Sequence, residues 1–266
     1  MDRLGLSYDI IGDIAVVRMP NRFNASSLQV AESIMRIHKQ VKTVLRQASG
    51  VSGEFRLRKL QWIAGEKKTK TEHREFGCVF NVDVETCYFS PRISSERMRV
   101  ARLVKPNEIV VNMFAGVGTF SVLMARFSRA ERIYSIDLNP HALKFANVNV
   151  RLNRVEDRVV PILSDAKEAV FKHFGHVCDR VVMPLPEKAY AHLDCAVFAL
   201  KPSGGWIHYY DFEHALRNED PVEKVTTRVA EKMREMGVRF RIPFGRVVRS
   251  TGPNWYQVVL DIQAST

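Results

Sequence analysis

The residues that could do chemistry begin with the turn Ala115-Gly116-Val117-Gly118, which follows the apolar run IVVNMF and opens the run TFSVLMARF. Glycine lets a backbone approach a ligand closely and adopt dihedrals closed to other residues. Asp137 ends the next apolar run, RIYSID, about twenty residues on, where an acid accepts hydrogen bonds from ribose hydroxyls. Asp165, in LSDA, ends the run after that and could accept from an adenine amino group. The dinucleotide fingerprint wants a third glycine, and Thr119-Phe120-Ser121 does not supply one, so no pyrophosphate cradle is evident and NAD is disfavoured. A glycine turn and two acids without a phosphate site fit S-adenosylmethionine. Singly, each acid also reads as a helix cap.

The elements that must position these groups alternate from residue 109 onward. IVVNMF, RIYSID, RVVPILSD and DRVVMPLP read as strands, each followed by a helical run. That alternation indicates a parallel, doubly wound sheet. After Gly204-Gly205 come WIHYYDF, a helix over about 221–236, and the runs VRFRIPFGRVVRS and WYQVVLDIQ, which read as a hairpin. A sheet ending this way is the methyltransferase version, with its last strand antiparallel. The expected fold class is therefore α/β, a Rossmann-like class I methyltransferase sheet with an N-terminal α+β RNA-binding domain. Lys105-Pro106-Asn107 marks the boundary, giving domains 1–104 and 105–266.

Upstream, YDII and IAVVRM read as short strands. Asn24-Ala25-Ser26-Ser27 offers caps for a helix running to about Ala48, with Val30, Ile34, Ile37, Val41 and Val44 on one face. Residues 53–90 read as extended segments joined by a charged hairpin or loop, in which cations such as Arg56, Arg58 and Lys67 interleave with Phe55, Trp62, Tyr88 and Phe89. That mixture suits an RNA surface, and equally a small sheet whose rings fill its own core. SSERMRVARLV then reads as a short helix with Glu96 in its first turn.

The net charge of +11 over 266 residues points toward a polyanionic partner such as nucleic acid. The four cysteines form no CxxC pair or zinc-ligand spacing, so buried thiols in a reducing compartment are expected and no metal is. No signal core or membrane-length apolar stretch occurs, which implies a soluble, cytoplasmic protein without a membrane partner.

SPRISSER, VNMFAGVGTFS, IDLNPHALKFANVNVRLN, ILSDAKE, DRVVMPLP and GGWIHYY resemble, in order and spacing, the archaeal and eukaryotic tRNA guanine-N1 methyltransferases, which modify guanosine 37 beside the anticodon. The resemblance implies S-adenosylmethionine contacts from Phe114, Ala115, Gly116, Asp137, Leu138, Asp165 and Ala166, with Arg97 and Pro184 also on the cofactor side. It implies Glu96 as the catalytic base and Arg56 as a catalytic, guanine-contacting arginine, with Tyr88, Arg92 and Pro186 toward the substrate. The partner implied is the anticodon-loop region of tRNA, bound by a monomer. Those types suit the reaction: guanine N1 must lose a proton as the methyl arrives, a carboxylate can take it, and a guanidinium can balance the charge developing on O6.

Three departures stand out. Asn112 replaces the family's aspartate, Pro184-Leu185-Pro186 replaces Asn-Leu-Pro, and the N-terminus is short of the separate domain used on the tRNA elbow. A sister family transfers the aminocarboxypropyl group of the same cofactor onto a wybutosine precursor; IDLNPHA and MPLP favour the methyltransferases. An RNA-binding protein with a degenerate cofactor fold is the alternative from another class.

Overall fold

Alternating apolar residues after Ser7 pair at once. β1 (Tyr8–Ile11) and β2 (Ile14–Arg18) form an antiparallel hairpin around Gly12-Asp13. The computed structural model describes residues 7–19 and 25–265, so the expected cap Asn24 lies outside the described residues. The helix expected to reach Ala48 ends much earlier. α1 spans Ala25–Ile37, and Thr43–Gln47 is a strand, β3, parallel to β2. Val41 and Val44, assigned to the helix face, are buried in the connection to β3 and in β3 itself, while Ile37 is exposed. Consecutive Thr43, Val44 and Leu45 favour an extended chain, where β-branched side chains pack without crowding a preceding turn. β4 (Leu60–Gly65) completes an antiparallel edge, giving the order β1-β2-β3-β4. Ala15, Val17, Ala31, Ile34, Val44 and Ile63 form its core with α1.

The tract read as a charged loop also contains a strand. β5 (Lys70–Glu75) and β6 (Cys78–Asp83) form a hairpin turning at Phe76-Gly77, both with positive φ. α2 (Ser94–Leu103) follows a 3₁₀ turn at Pro91–Ile93.

The alternating part then runs β7 (Ile109–Asn112), α3 (Thr119–Phe127), β8 (Arg132–Asp137), α4 (Pro140–Leu152), β9 (Val159–Leu163), α5 (Ala166–Ala169), β10 (Arg180–Met183), α6 (Pro186–Ala189), α7 (Leu193–Ala199), β11 (Gly205–His214), α8 (Pro221–Glu235), β12 (Arg239–Gly252) and β13 (Trp255–Ser265). Seven strands form one sheet in the order β12-β13-β11-β10-β7-β8-β9. β11, β10, β7, β8 and β9 pair parallel, while β13 inserts antiparallel between β11 and β12. The last strand is antiparallel and pairs with β12 as a hairpin, as expected from the sequence.

The chain divides into two compact units. The first is Met1–Ser95 with Gly116–Gly118 and Asn139–Asn153, and the second is Glu96–Ala115, Thr119–Leu138 and Arg154–Thr266. The division falls between Ser95 and Glu96 rather than at 104/105, so α2 belongs with the sheet. Within the first unit α4 grips β6 through two amides. Asn149 accepts from the Asn81 N–H at 2.7 Å and donates to the Asn81 carbonyl at 3.0 Å. Asn153 does the same for Val79 at 2.9 and 2.7 Å. Residues four apart on a helix thus serve residues two apart on a strand.

Candidate active site

In an open α/β sheet, ligands sit outside the carboxyl ends of the strands where strand order reverses. Here that point is β7, with β8 on one side and β10 on the other. Beyond β7 the backbone stays paired on both sides: the Met113 N–H donates to the Val182 carbonyl at 3.0 Å and that of Ala115 to the Ile136 carbonyl at 2.8 Å. Asp137 pairs with Leu163, and the Ser164 N–H donates to the Asp137 carbonyl at 3.2 Å. Phe114-Ala115, Asp137-Leu138 and Asp165-Ala166 therefore follow three adjacent strand ends, and Pro184 follows the fourth. Gly116 and Gly118 have φ of 56° and 87°. A Cβ on Gly116 would meet nothing within 4 Å, so its dihedral, not its space, calls for glycine.

Individual side chains add detail. Asp137 is half-buried and Leu138 is exposed. Asp165 caps α5, its Oδ1 accepting from the N–H groups of Lys167 and Glu168 at 2.8 and 3.1 Å. The capping role foreseen for the acids holds for this one. Phe114 meets His192 edge-on at 5.3 Å, a neighbour the sequence did not suggest. Pro186 is buried at the start of α6. Asn112 is fully buried, its amide donating to Ser121 Oγ at 3.1 Å, and Ser121 Oγ lies 2.8 Å from Ser135 Oγ. Its Oδ1 has no hydrogen-bond partner. A buried orphan acceptor at the end of β7 fits a ligand that brings an N–H donor, so the residues present suit a nucleoside cofactor of this type.

Glu96 does not ride on the solvent face of α2; it is 0% exposed. α2 runs along one face of the sheet so that residues one helical turn apart meet successive rows of strand residues. In one row stand Tyr210, Val259 and Arg246, in the next His208, Asp261 and Phe244. Glu96 meets the first row: Oε1 accepts from the Tyr210 hydroxyl at 2.8 Å, and Oε2 accepts from Arg246 Nη2. Arg99 meets the second. It donates to Asp261 Oδ2 through Nη1 at 2.6 Å and to Oδ1 through Nη2 at 2.9 Å, and lies 4.6 Å over the Phe244 ring. Its other edge returns to Glu96 through Nε and Nη2, at 3.0 and 2.7 Å to Oε1.

The network continues into the sheet. Asp261 Oδ1 lies 2.6 Å from His208 Nδ1, and His208 Nε2 lies 2.7 Å from Arg180 Nη1. Arg180, 2% exposed, holds Glu108 through Nε and Nη2. Three carboxylates thus face three guanidiniums. Burial alone would raise Asp261, but the bonds from His208 and Arg99 outweigh it and hold its carboxyl well below the usual range. Burial likewise works against the charge on Arg99, and Asp261 and Glu96 outweigh it.

In the first unit Arg56 and Tyr88 come together, the guanidinium 4.5 Å over the ring. Arg56 stands in a turn with φ of 56°, not in the extended segment expected for it. The two line a cavity of about 10 Å³, room for one water rather than a base. Arg92 donates to Asp9 Oδ1 at 2.5 Å and Ser7 Oγ at 3.0 Å. Arg97 is buried.

With this geometry, comparison with known proteins is specific. Residues 71–239 match the family described as the TRM5/TYW2 methyltransferase domain, and residues 1–69 match one described as the TYW2 N-terminal domain. The chain belongs to the TRM5/TYW2 methyltransferase family. It is 39% identical over 262 residues to the tRNA (guanine(37)-N(1))-methyltransferase Trm5b of Pyrococcus abyssi, covering 98% of this chain and 76% of the relative. The crystal structure of that protein matches with a TM-score of 0.85, covering 98% of this chain and 75% of the other at 38% identity. The tRNA 4-demethylwyosine(37)-methyltransferase Taw21 of Saccharolobus solfataricus is 36% identical over 258 residues, 97% of this chain and 93% of that one. TYW2 of Methanocaldococcus jannaschii, in complex with AdoMet, matches at a TM-score of 0.71 and 26% identity, covering 97% and 99%.

The sequence singles out Glu96 but not the setting the structure gives it. Arg99, Tyr210, Arg246, Asp261, His208 and Arg180 were missed. The available signals were Arg99 three residues beyond Glu96, which puts both on one helix face, and the polar pair His208 and Tyr210 alternating in an otherwise apolar strand. Among the described residues no helix is long and apolar enough to cross a membrane.

Proposed function

We propose that this chain is an S-adenosylmethionine-dependent tRNA methyltransferase acting on N1 of guanosine 37. The observation that carries the reading is the likeness to Trm5b along 98% of the chain. The cofactor, when bound, supplies an electrophilic methyl group. Asp137 would accept from its ribose hydroxyls and Asp165 from its adenine amino group, and the orphan Oδ1 of Asn112 would offer a buried acceptor to an N–H donor. Phe114 and Pro184, which follow the ends of β7 and β10, would stand beside it.

Glu96 takes the N1 proton of the target base, and Arg56 balances the charge that develops on O6, with Tyr88, Arg92 and Pro186 on the substrate side. Glu96 is closed to solvent, and Arg246 is the partner whose side chain is the more exposed, 40% against 21% for Arg99. A base therefore gains the carboxylate by displacing Arg246, while Arg99 stays locked to Asp261. The expected partner is the anticodon-loop region of tRNA, and the enzyme is expected to act as a monomer.

The test is to incubate the protein with radiolabelled cofactor and unmodified tRNA, digest, and identify the nucleoside. Labelled N1-methylguanosine supports the reading; an aminocarboxypropyl adduct or no label would overturn it. A second reading has one observation behind it: the chain spans 93% of the 4-demethylwyosine methyltransferase against 76% of Trm5b. Methylation of tRNA carrying 4-demethylwyosine, and not of unmodified tRNA, would favour that reading.

A further inference from the structure

We infer that Asp261 is a positioning residue for Glu96, acting through Arg99 and itself held by His208; this rests on Glu96 being the base of the proposed methyl transfer. A guanidinium carries donors only. Arg180 Nη1, 2.7 Å from His208 Nε2, therefore requires that nitrogen to accept, which leaves the ring proton on Nδ1. Nδ1–H then donates to Asp261 Oδ1 at 2.6 Å. The tautomer and the direction of each bond follow from chemistry alone, and His208 is neutral.

Asp261 is thereby fixed before it meets Arg99, and it meets Arg99 as a two-toothed fork on Nη1 and Nη2. The opposite edge, Nε and Nη2, is the one presented to Glu96. A guanidinium gripped on one edge cannot rotate, so the second edge holds the carboxylate in one orientation. Without that grip Arg99 has room to leave. It lines a cavity of about 400 Å³ with Leu103, Trp206, Pro243 and Phe244. The pair Glu96–Arg99 would then be one i,i+3 contact on a helix, which by itself fixes little.

The electrostatics run in the same direction. Asp261 offsets the charge that Arg99 brings to Glu96. Removing it would leave the charge of Arg99, still carried one helical turn from Glu96, without that offset, and so oppose transfer of a proton to the carboxylate.

The experiment compares Asp261→Asn, Arg99→Lys and Glu96→Gln, singly and with Asp261→Asn on the Glu96→Gln background. Single-turnover methyl transfer, calorimetric affinity for S-adenosylmethionine and melting temperature are measured for each. Asp261→Asn is expected to slow transfer at least tenfold with cofactor affinity changed less than twofold, and to have no further effect once Glu96 is glutamine. A loss of equal size in both backgrounds would mean a general structural role and would overturn the inference, as would an unchanged rate. Should Asp261→Asn not fold, Arg99→Lys carries the test. Lysine keeps the charge but cannot bridge two carboxylates with parallel forks, so the same loss is expected, and a wild-type rate would overturn the inference. If the wild-type protein labels neither unmodified nor 4-demethylwyosine tRNA, the methyltransferase reading falls and the positioning role with it. An active wild type with an unaffected Asp261→Asn removes the positioning role alone.

Discussion

Tyr210 donates its phenolic proton to Glu96 Oε1 at 2.8 Å, across 114 residues of chain. Burial and the neighbouring Glu96 charge push the hydroxyl well above its ordinary value, so it remains a donor at any assay pH. Tyr210→Phe removes this bond without altering shape. It is expected to cost about 1.5–3 kcal/mol, the range for hydrogen bonds to charged groups, in urea denaturation, and to slow single-turnover transfer while leaving cofactor affinity in place.

Glu96→Gln keeps the volume and removes the base. General-base contributions run to about 10²–10⁴-fold, so single-turnover transfer should fall by at least about 100-fold on that scale. Calorimetry should give a cofactor affinity close to wild type. A rate within a few-fold of wild type would remove Glu96 from the chemistry.

Asp137→Ala acts on the other half of the reaction. The ribose hydroxyls lose a charged acceptor, so cofactor affinity should fall about tenfold or more. Transfer at saturating cofactor should change far less. Equal affinity in the mutant would refute the ribose assignment.

The sheet and the strand ends that carry the glycine turn and the acids were legible because they follow local rules. Apolar strands ending in a glycine turn and in acids repeat at the spacing of βα units, and Asp137 and Asp165 fell at strand ends. α1 was overextended because Val41 and Val44 continue a helical spacing by accident, while β-branched neighbours and a parallel partner strand make the chain from Thr43 extended. The setting of Glu96 was illegible for a different reason. Asp261, His208, Tyr210 and Arg246 reach it through strand register, and register between β11, β12 and β13 is a property of pairing that no local window contains.

Acid should weaken the fold in a defined window. Burial disfavours the charged form of His208 and holds it below its ordinary value of 6.5, although Asp261 opposes this. His192 is shifted the same way, mainly by burial. The unfolded chain takes up protons near pH 6.5 while the folded chain does not, so this contribution is full above that pH. Below it, stability is lost at up to about 1.4 kcal/mol per pH unit for each histidine, until the folded value is reached. Asp261, depressed in the fold, adds a loss only below the unfolded carboxylate value of about 4. Urea midpoints from pH 7.5 to 5 should decline in the wild type and decline less in His208→Gln.

Asn149→Ala tests the amide grip in the first unit. Asn149 is fully buried and its side chain serves Asn81 N–H, Asn81 C=O and the Val117 carbonyl at 2.9 Å. Alanine strands all three, at an expected cost of about 2–3 kcal/mol. Hydrogen exchange should show loss of protection at Asn81 before the rest of β6.

β13 follows every other strand in the chain, yet it lies inside the sheet between β11 and β12. Within the sheet β12, which carries Arg246, pairs only with that strand, and Arg99 has its carboxylate fork only once Asp261 is in place. The groups around Glu96 are thus joined by the placement of one strand, which brings Asp261 to His208 on one side and aligns Arg246 on the other.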